Sequence, residues 1–330
     1  MPHGPPSPIA GLLPPGGRQF RDARETRVAD WLRPWDAREP LDRLDVGFVG
    51  VPLSRASISH SGASSTPAAL RELFAALTTY DIDRDVDLAE RLVGRDLGDV
   101  RVHPTDVVRA QGEVRDTLAA LFAALPRFVP VIAGGDHSIT ASALPAFAER
   151  AGGALGLVQL DAHMDVRDLA AGPTNGTPVR RLLESGAVAG RNVAQVGLQN
   201  FANARAYRDY ARAHGVTQIT ASDVARGGIA PAVERALAVA SAGTAAVYVT
   251  LDVDVVAQAA APGVAAPVPA GLGARELLDA MLLLGRHPRV AALDVVEVDA
   301  TQDPRRASAR LALHAILTFL VGVATRGGGS

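Results

Sequence analysis

Eight short apolar runs, separated by stretches with helical spacing, constrain this chain more than any other feature. The runs are 46–51, 96–100, 128–133, 156–160, 192–198, 217–220, 246–251 and 290–296. Helical patterns lie between them, at about 139–150, 177–185, 201–214, 232–241, 275–284 and 307–323. In one further stretch Val114, Leu118, Leu121, Phe122 and Leu125 recur at three- and four-residue spacings, and Pro126 ends it. Strand alternating with helix predicts a parallel sheet covered by helices on both faces. Residues 1–40 read as a Pro/Gly-rich N-terminal arm, 41–326 as one domain and 327–330 as a flexible tail.

Acidic clusters follow three of the runs: Gly134-Gly135-Asp136-His137-Ser138, Asp161-Ala162-His163-Met164-Asp165 and Asp252-Val253-Asp254. Glu297 follows a fourth. Ligands of parallel α/β sheets bind at the carboxyl ends of the strands, which is where all four groups fall. Charge at the tip of a buried strand is costly unless something neutralises it. Taken singly, each cluster reads equally well as a capping Asp or a solvated loop. Their coincidence on one edge points to shared cations. Within each Asp-x-His-x-Asp or Asp-x-Asp run, alternate residues face one side if the strand continues. Together with His137 that gives four carboxylates and two imidazoles, a donor set suited to Mn²⁺ rather than to a thiolate-rich structural zinc site. Two such ions can activate a water near neutral pH. A metallophosphoesterase also opens with Asp-x-His, but the Asn ligand and later His-rich clusters of that class are missing here.

Composition removes other chemistries. The chain has no cysteine, and all 33 basic residues are arginine. Thiolate nucleophiles, Schiff-base lysines and a phosphate-loop lysine are therefore excluded. A formal charge of −2 over 330 residues argues against nucleic-acid or membrane-surface partners. No uncharged run reaches the roughly 18 residues of a spanning helix. The N-terminal stretch lacks a basic-then-apolar leader pattern, so a cytoplasmic protein is expected.

The three motifs, in this order, resemble the ureohydrolase (arginase–agmatinase) family, over roughly residues 45–325. The resemblance implies a three-layer α/β/α sandwich with a mostly parallel, roughly eight-stranded sheet, two Mn²⁺ per chain, and assembly into trimers or hexamers. It implies that His137, Asp161, Asp165 and Asp252 bind one ion. Asp161, His163, Asp252 and Asp254 would bind the other, and Asp136 would support the site from behind. Glu297 matches the glutamate that holds the amidine or guanidinium of a small-molecule substrate.

Within that family the segment Thr174-Asn175-Gly176-Thr177-Pro178 carries Asn175 where guanidine-cleaving members have histidine. It resembles the formimidoylglutamases, as do Ala261-Pro262-Gly263-Val264 and Phe201-Ala202-Asn203. Thr174 and Asn175 are then expected at the substrate. Arg167, two residues past Asp165, is the expected partner of a substrate carboxylate, a bond suited to a guanidinium fork. Arg180 and Arg181 read more simply as solvated helix residues. The implied reaction is hydrolysis of N-formimidoyl-L-glutamate to L-glutamate and formamide. Two alternatives stay open, a guanidino-hydrolase that releases urea and a non-catalytic binding or assembly subunit.

Overall fold

The computed structural model describes residues 22–36, 38–39, 43–125 and 127–326. The expected tail 327–330, the helix-ending Pro126 and residues 1–21 of the expected arm lie outside the described residues. Each apolar run forms a strand: β1 (Val46–Gly50), β2 (Gly94–Asp99), β3 (Val129–Ala133), β4 (Leu155–Leu160), β5 (Val188–Leu198), β6 (Thr217–Thr220), β7 (Ala246–Asp252) and β8 (Val290–Val296). They make one sheet in the order β2-β1-β3-β8-β7-β4-β5-β6, with every pairing parallel.

The main helices are α1 (Thr66–Phe74), α2 (Val107–Ala124), α3 (Thr140–Ala151), α4 (Pro178–Glu184), α5 (Arg205–Ala213), α6 (Ile229–Ser241), α7 (Ala274–Arg286) and α8 (Ala307–Ala324). Strand side chains alternate between two cores. Phe48, Val131, Val158, Val249 and Leu293 join residues of α1, α6, α7 and α8 in one. Val49, Ile132, Leu157, Tyr248 and Ala292 join residues of α2, α3, α4 and α5 in the other. Because both sheet faces are covered, the inner strands read as near-continuous apolar runs rather than as polar–apolar alternation, while the edge strands β2 and β6 are only partly buried.

Strand order is what gathers the charged tips. The chain reaches β3 and then jumps three places to β4, and only later inserts β7 and β8 into the gap. As a result β3, β8, β7 and β4 are neighbours, and these four strands carry the four charged tips. Ala133 pairs with Val295, Val296 with Asp252, and Leu160 with Leu251. The tips therefore end level with one another.

One expectation needs correction. The arm is shorter than 40 residues. Val28, Trp31 and Leu32 are 0%, 5% and 2% exposed and belong to the core, and Trp31 Nε1 donates to the Leu92 carbonyl at 2.7 Å. Three apolar residues in a charge-dense stretch are too few to show periodicity, but enough to anchor it. The segment Pro304–Ala324, which carries Arg305, Arg306 and Arg310 and so is no uncharged run, is long and apolar enough to cross a membrane by length and composition. Its packing marks it as a core helix: 61% of that window is buried, with α8 lying along α7.

Candidate metal centre

Each charged side chain is held by a device local to its own strand tip. After β3 the backbone turns sharply at Gly135, where a Cβ would lie 1.6 Å from the Leu53 carbonyl oxygen, so only glycine fits. Asp136 follows. One of its oxygens accepts the Ser138 N–H at 3.1 Å and the other the Ala56 N–H at 3.0 Å. Burial pushes the Asp136 carboxyl up to about 6 against those bonds. Asp136 thus pins the 51–57 loop beneath His137. Asp165 and Glu297 both adopt positive φ, at 54° and 65°, a conformation that costs a non-glycine residue energy and that clusters at functional sites.

The four tips meet in one buried cup. His137 Nδ1 stands 3.1 Å from Asp161, 2.8 Å from Asp165 and 3.2 Å from Asp252. It is fully buried, and this nitrogen makes no hydrogen bond. The other nitrogen, Nε2, is 2.9 Å from Thr250 Oγ1. Beside this cup, His163 Nδ1 lies 3.0 Å from Asp254 and 3.5 Å from Asp161. Two trios can each hold a cation: His137, Asp161 and Asp252, and Asp161, His163 and Asp254, with the donor atoms of each trio within 4.8 Å of one another. Asp161 is common to both. Asp252 belongs to the first, and its Oδ1 accepts the Asp254 N–H at 2.9 Å. Neighbouring donors at about 2.1 Å from one small divalent cation lie about 3 Å apart, which is the spacing found around His137 Nδ1. The unbonded imidazole nitrogen, the oxygen-rich donors and the shared Asp161 all fit a pair of divalent ions.

Electrostatics point the same way. Burial and the charges of its neighbours push Asp252 well above the usual carboxylate range, and burial with Asp161 beside it raises Asp165 to about 7. Burial raises Asp254 too. It would also raise Asp161, but the two imidazoles beside it, at 3.1 and 3.5 Å, more than reverse that and hold it low. Burial opposes protonation of the two histidines, yet the carboxylates around them win. His137 is held well above its ordinary value and His163 is pushed up to about 12. Without metal, protons on the imidazoles do the neutralising.

A layer that residue order did not reveal lies beneath the cup. Thr250 connects His137 Nε2 to Thr140, 3.3 Å away, and Thr140 donates to the fully buried Asp294 at 2.8 Å. Tyr248 also donates to Asp294, at 2.9 Å. Gln159 donates to Asp161 at 2.6 Å and accepts from Gln195 at 2.7 Å. These residues orient the donors in the way that outer partners of metal ligands do. The one signal for them in the sequence was a polar residue inside an apolar run, as with Asp294 in 290–296.

The cup opens into a cavity of about 280 Å³ lined by His163, Asp165, Arg167, Asn175, Tyr207, Asp252, Asp254 and Glu297, among others. Glu297 Oε1 accepts the His137 N–H at 2.8 Å and Asn175 Nδ2 at 3.0 Å, while Oε2 is buried and unpartnered. Burial, with the Asp136 charge nearby, lifts Glu297 to about 8. Asn175 also accepts the Ile58 N–H at 3.1 Å. It therefore clamps Glu297 to the 56–58 loop. The Arg167 guanidinium sits over the Tyr207 ring, 5.6 Å from its centroid, and has no carboxylate partner among the described residues. Asn203 accepts the Met164 N–H at 2.8 Å and donates to the Ala162 carbonyl at 3.0 Å, which ties the cavity wall to the second motif.

Thr174 does not line this cavity. It forms a turn with Thr177, whose hydroxyl accepts the Thr174 N–H at 3.0 Å and donates to its carbonyl at 2.8 Å. That turn points the Thr174 side chain inward. Arg180 bonds Glu184 at 2.7 Å and Arg181 bonds Gln111 at 2.8 Å, both away from the cavity, and His60 and His103 do not line it either.

A model of the arginase family matches residues 44–322. Formimidoylglutamase of Halalkalibacterium halodurans is 41% identical over 305 residues, covering 92% of this chain and 94% of that protein. Among solved structures, formimidoylglutamase of Bacillus subtilis superposes with a TM-score of 0.91 at 36% identity, over 96% of this chain and 97% of that one. Formiminoglutamase of Trypanosoma cruzi, solved with Mn²⁺, has a TM-score of 0.82 at 25% identity, over 92% and 99%.

Cation affinity should rise steeply with pH. The raised histidines hold protons at neutral pH, and a cation must displace them before it can bind. Calorimetric Mn²⁺ titrations in buffers of different ionisation enthalpy should show proton release and tighter binding at about pH 8 than at about pH 6. A pH-independent affinity with no proton release would contradict this electrostatic picture of the cup.

Proposed function

The chain belongs to the arginase family, and we propose that it hydrolyses N-formimidoyl-L-glutamate to L-glutamate and formamide. The observation that carries the substrate choice is the pairing, in one cavity, of Glu297 clamped by Asn175 with Arg167 free of any carboxylate. The relatives and solved neighbours at high coverage support the same reaction.

In this reading His137, Asp161, Asp165 and Asp252 hold one divalent ion. Asp161, His163, Asp254 and Asp252 hold the other, and Mn²⁺ is the favoured metal. When bound, such a pair supplies an activated water near neutral pH and offsets the buried negative charge. The remaining work belongs to side chains. Glu297 Oε2 has no internal partner. It accepts the N–H groups of the cationic, planar formimidoyl unit and aligns its carbon with the cup. Asn175 cannot carry a proton at neutral pH. Its role is to fix Glu297 Oε1, so that only Oε2 turns to the substrate. At the far end of the cavity Arg167, backed by Tyr207, pairs with a substrate carboxylate as a two-pronged donor. A guanidine substrate with no carboxylate gains nothing from that guanidinium.

Self-association into trimers or hexamers is part of the same proposal. Phe201 is fully exposed next to Arg205, Arg208 and Arg212, and none of the three arginines has a carboxylate partner among the described residues. Sedimentation velocity should find an oligomer; a stable monomer at micromolar concentration overturns this part.

Steady-state assays of the Mn²⁺-loaded protein should give the highest kcat/KM on formimidoylglutamate, with formamide as product. If agmatine, arginine or 4-guanidinobutyrate is turned over faster, with release of urea, the chain is a guanidino-hydrolase instead. Assayed above about pH 8, where Glu297 is a carboxylate, Glu297→Gln should keep its metal and lose about 10- to 100-fold in kcat/KM, as a charged hydrogen bond worth about 1.5–3 kcal/mol becomes a neutral one. Arg167→Ala should raise KM several-fold while leaving metal content unchanged, at a cost of about 1 kcal/mol for a pair made by an exposed guanidinium. Metal loss in either variant would place that residue in the cup rather than at the substrate.

A further inference from the structure

A second cavity, of about 650 Å³, opens between α2, α3 and α4 and shares no lining residue with the catalytic one. The two cavities lie against opposite sides of a single loop. Arg167, Asn175 and Gly176 face the catalytic cavity, whereas Leu169, Gly172 and Pro173 line the second.

No carboxylate lines this second cavity. Arg181 does, half-buried, and its one side-chain bond is to Gln111 Oε1 at 2.8 Å. Among the described residues it has no acidic partner. Burial without a counter-charge holds its guanidinium below its ordinary value. Gln111 is only 3% exposed, and its Nε2 makes no hydrogen bond to any protein group. A desolvated guanidinium beside an unsatisfied amide N–H is costly to maintain alone. Both lie on the wall of one cavity, joined by the 2.8 Å bond that fixes Arg181 there. The Arg181 fork matches a planar pair of oxygens. The remaining wall includes Val108, Pro145, Leu169 and Pro173, which suits an aliphatic body. Arg115, at the rim, is already bonded to Asp116 at 2.7 Å. One uncompensated guanidinium therefore favours a monoanion over a doubly charged phosphate.

We propose that this cavity is a binding site for a small aliphatic monocarboxylate, held by Arg181 on the outer side of the catalytic loop.

Isothermal titration of the metal-loaded protein with butyrate tests this. Two variants control it. Arg181→Gln removes the charge. Gly112→Leu fills the cavity from a position where an added Cβ meets nothing within 4 Å, and it removes no existing contact. Neither residue lines the catalytic cavity. Wild type should bind butyrate in the millimolar range, and each variant should weaken binding at least about tenfold, with metal content unchanged. Three results overturn the proposal: no heat of binding in wild type; a heat that survives both substitutions, which assigns the butyrate to Arg167; or inorganic phosphate binding more tightly than butyrate at the Arg181-dependent site.

Discussion

The structure depends on compensating four carboxylates that are buried within a few ångströms of each other. Asp161, Asp165, Asp252 and Asp254 are each 8% exposed or less. In a medium of low effective dielectric their mutual repulsion and lost hydration are too large to leave unanswered. Two imidazoles pointed into the same space give the partial answer visible in the close imidazole–carboxylate approaches, with His137 facing three carboxylates and His163 two. Divalent cations would complete it. Stability and function are therefore coupled, because the charge that destabilises the cup is the charge that recruits the metal.

Rigidity around the cup stems from the same constraint. A donor that drifts by an ångström loses its ion and regains an unpaired charge. The fold answers with polar groups below and clamps above. Thr250, Thr140, Asp294 and Tyr248 fix the far nitrogen of His137 from within the sheet. Asp136 and Asn175 tie the 51–58 loop to the site from the other side. Glu297 joins both systems, since it accepts the His137 N–H and the Asn175 amide through one oxygen and leaves the other for the cavity. Positive φ at Asp165 and Glu297 is tolerated because these bonds over-determine the backbone there.

What could be read from residue order was local. The inner strands were legible because a sheet covered on both faces demands long apolar runs, and the run 290–296 matches β8 residue for residue. The candidate metal donors were legible because charge after four such runs, all at one edge of the sheet, has few structural explanations, although any one cluster alone has several. Short or weakly patterned pieces were not: α1, and the anchor at Val28, Trp31 and Leu32, lack enough repeats to announce a period. Thr174 looked like a substrate contact from its place in the motif. Its turn with Thr177 faces it inward, a matter of local hydrogen bonding that spacing does not encode.

The sequence by itself determined which side chains can carry the chemistry, because residue type and position after a buried strand are properties of the chain alone. It set the parallel α/β class for the same reason, since periodicity is local. Only the tertiary structure decided that β3, β8, β7 and β4 are neighbours, which brings residues 137, 161, 252 and 297 to one point. Strand order is set by crossovers and by packing of the two helical layers, and no short window of sequence contains it. The fold likewise decided that Asn175 bonds Glu297, and that Arg181 turns toward Gln111 and away from the cavity beside the cup. In each case the deciding contact joins segments far apart in the chain, and its energy exists only once the sheet has brought them together.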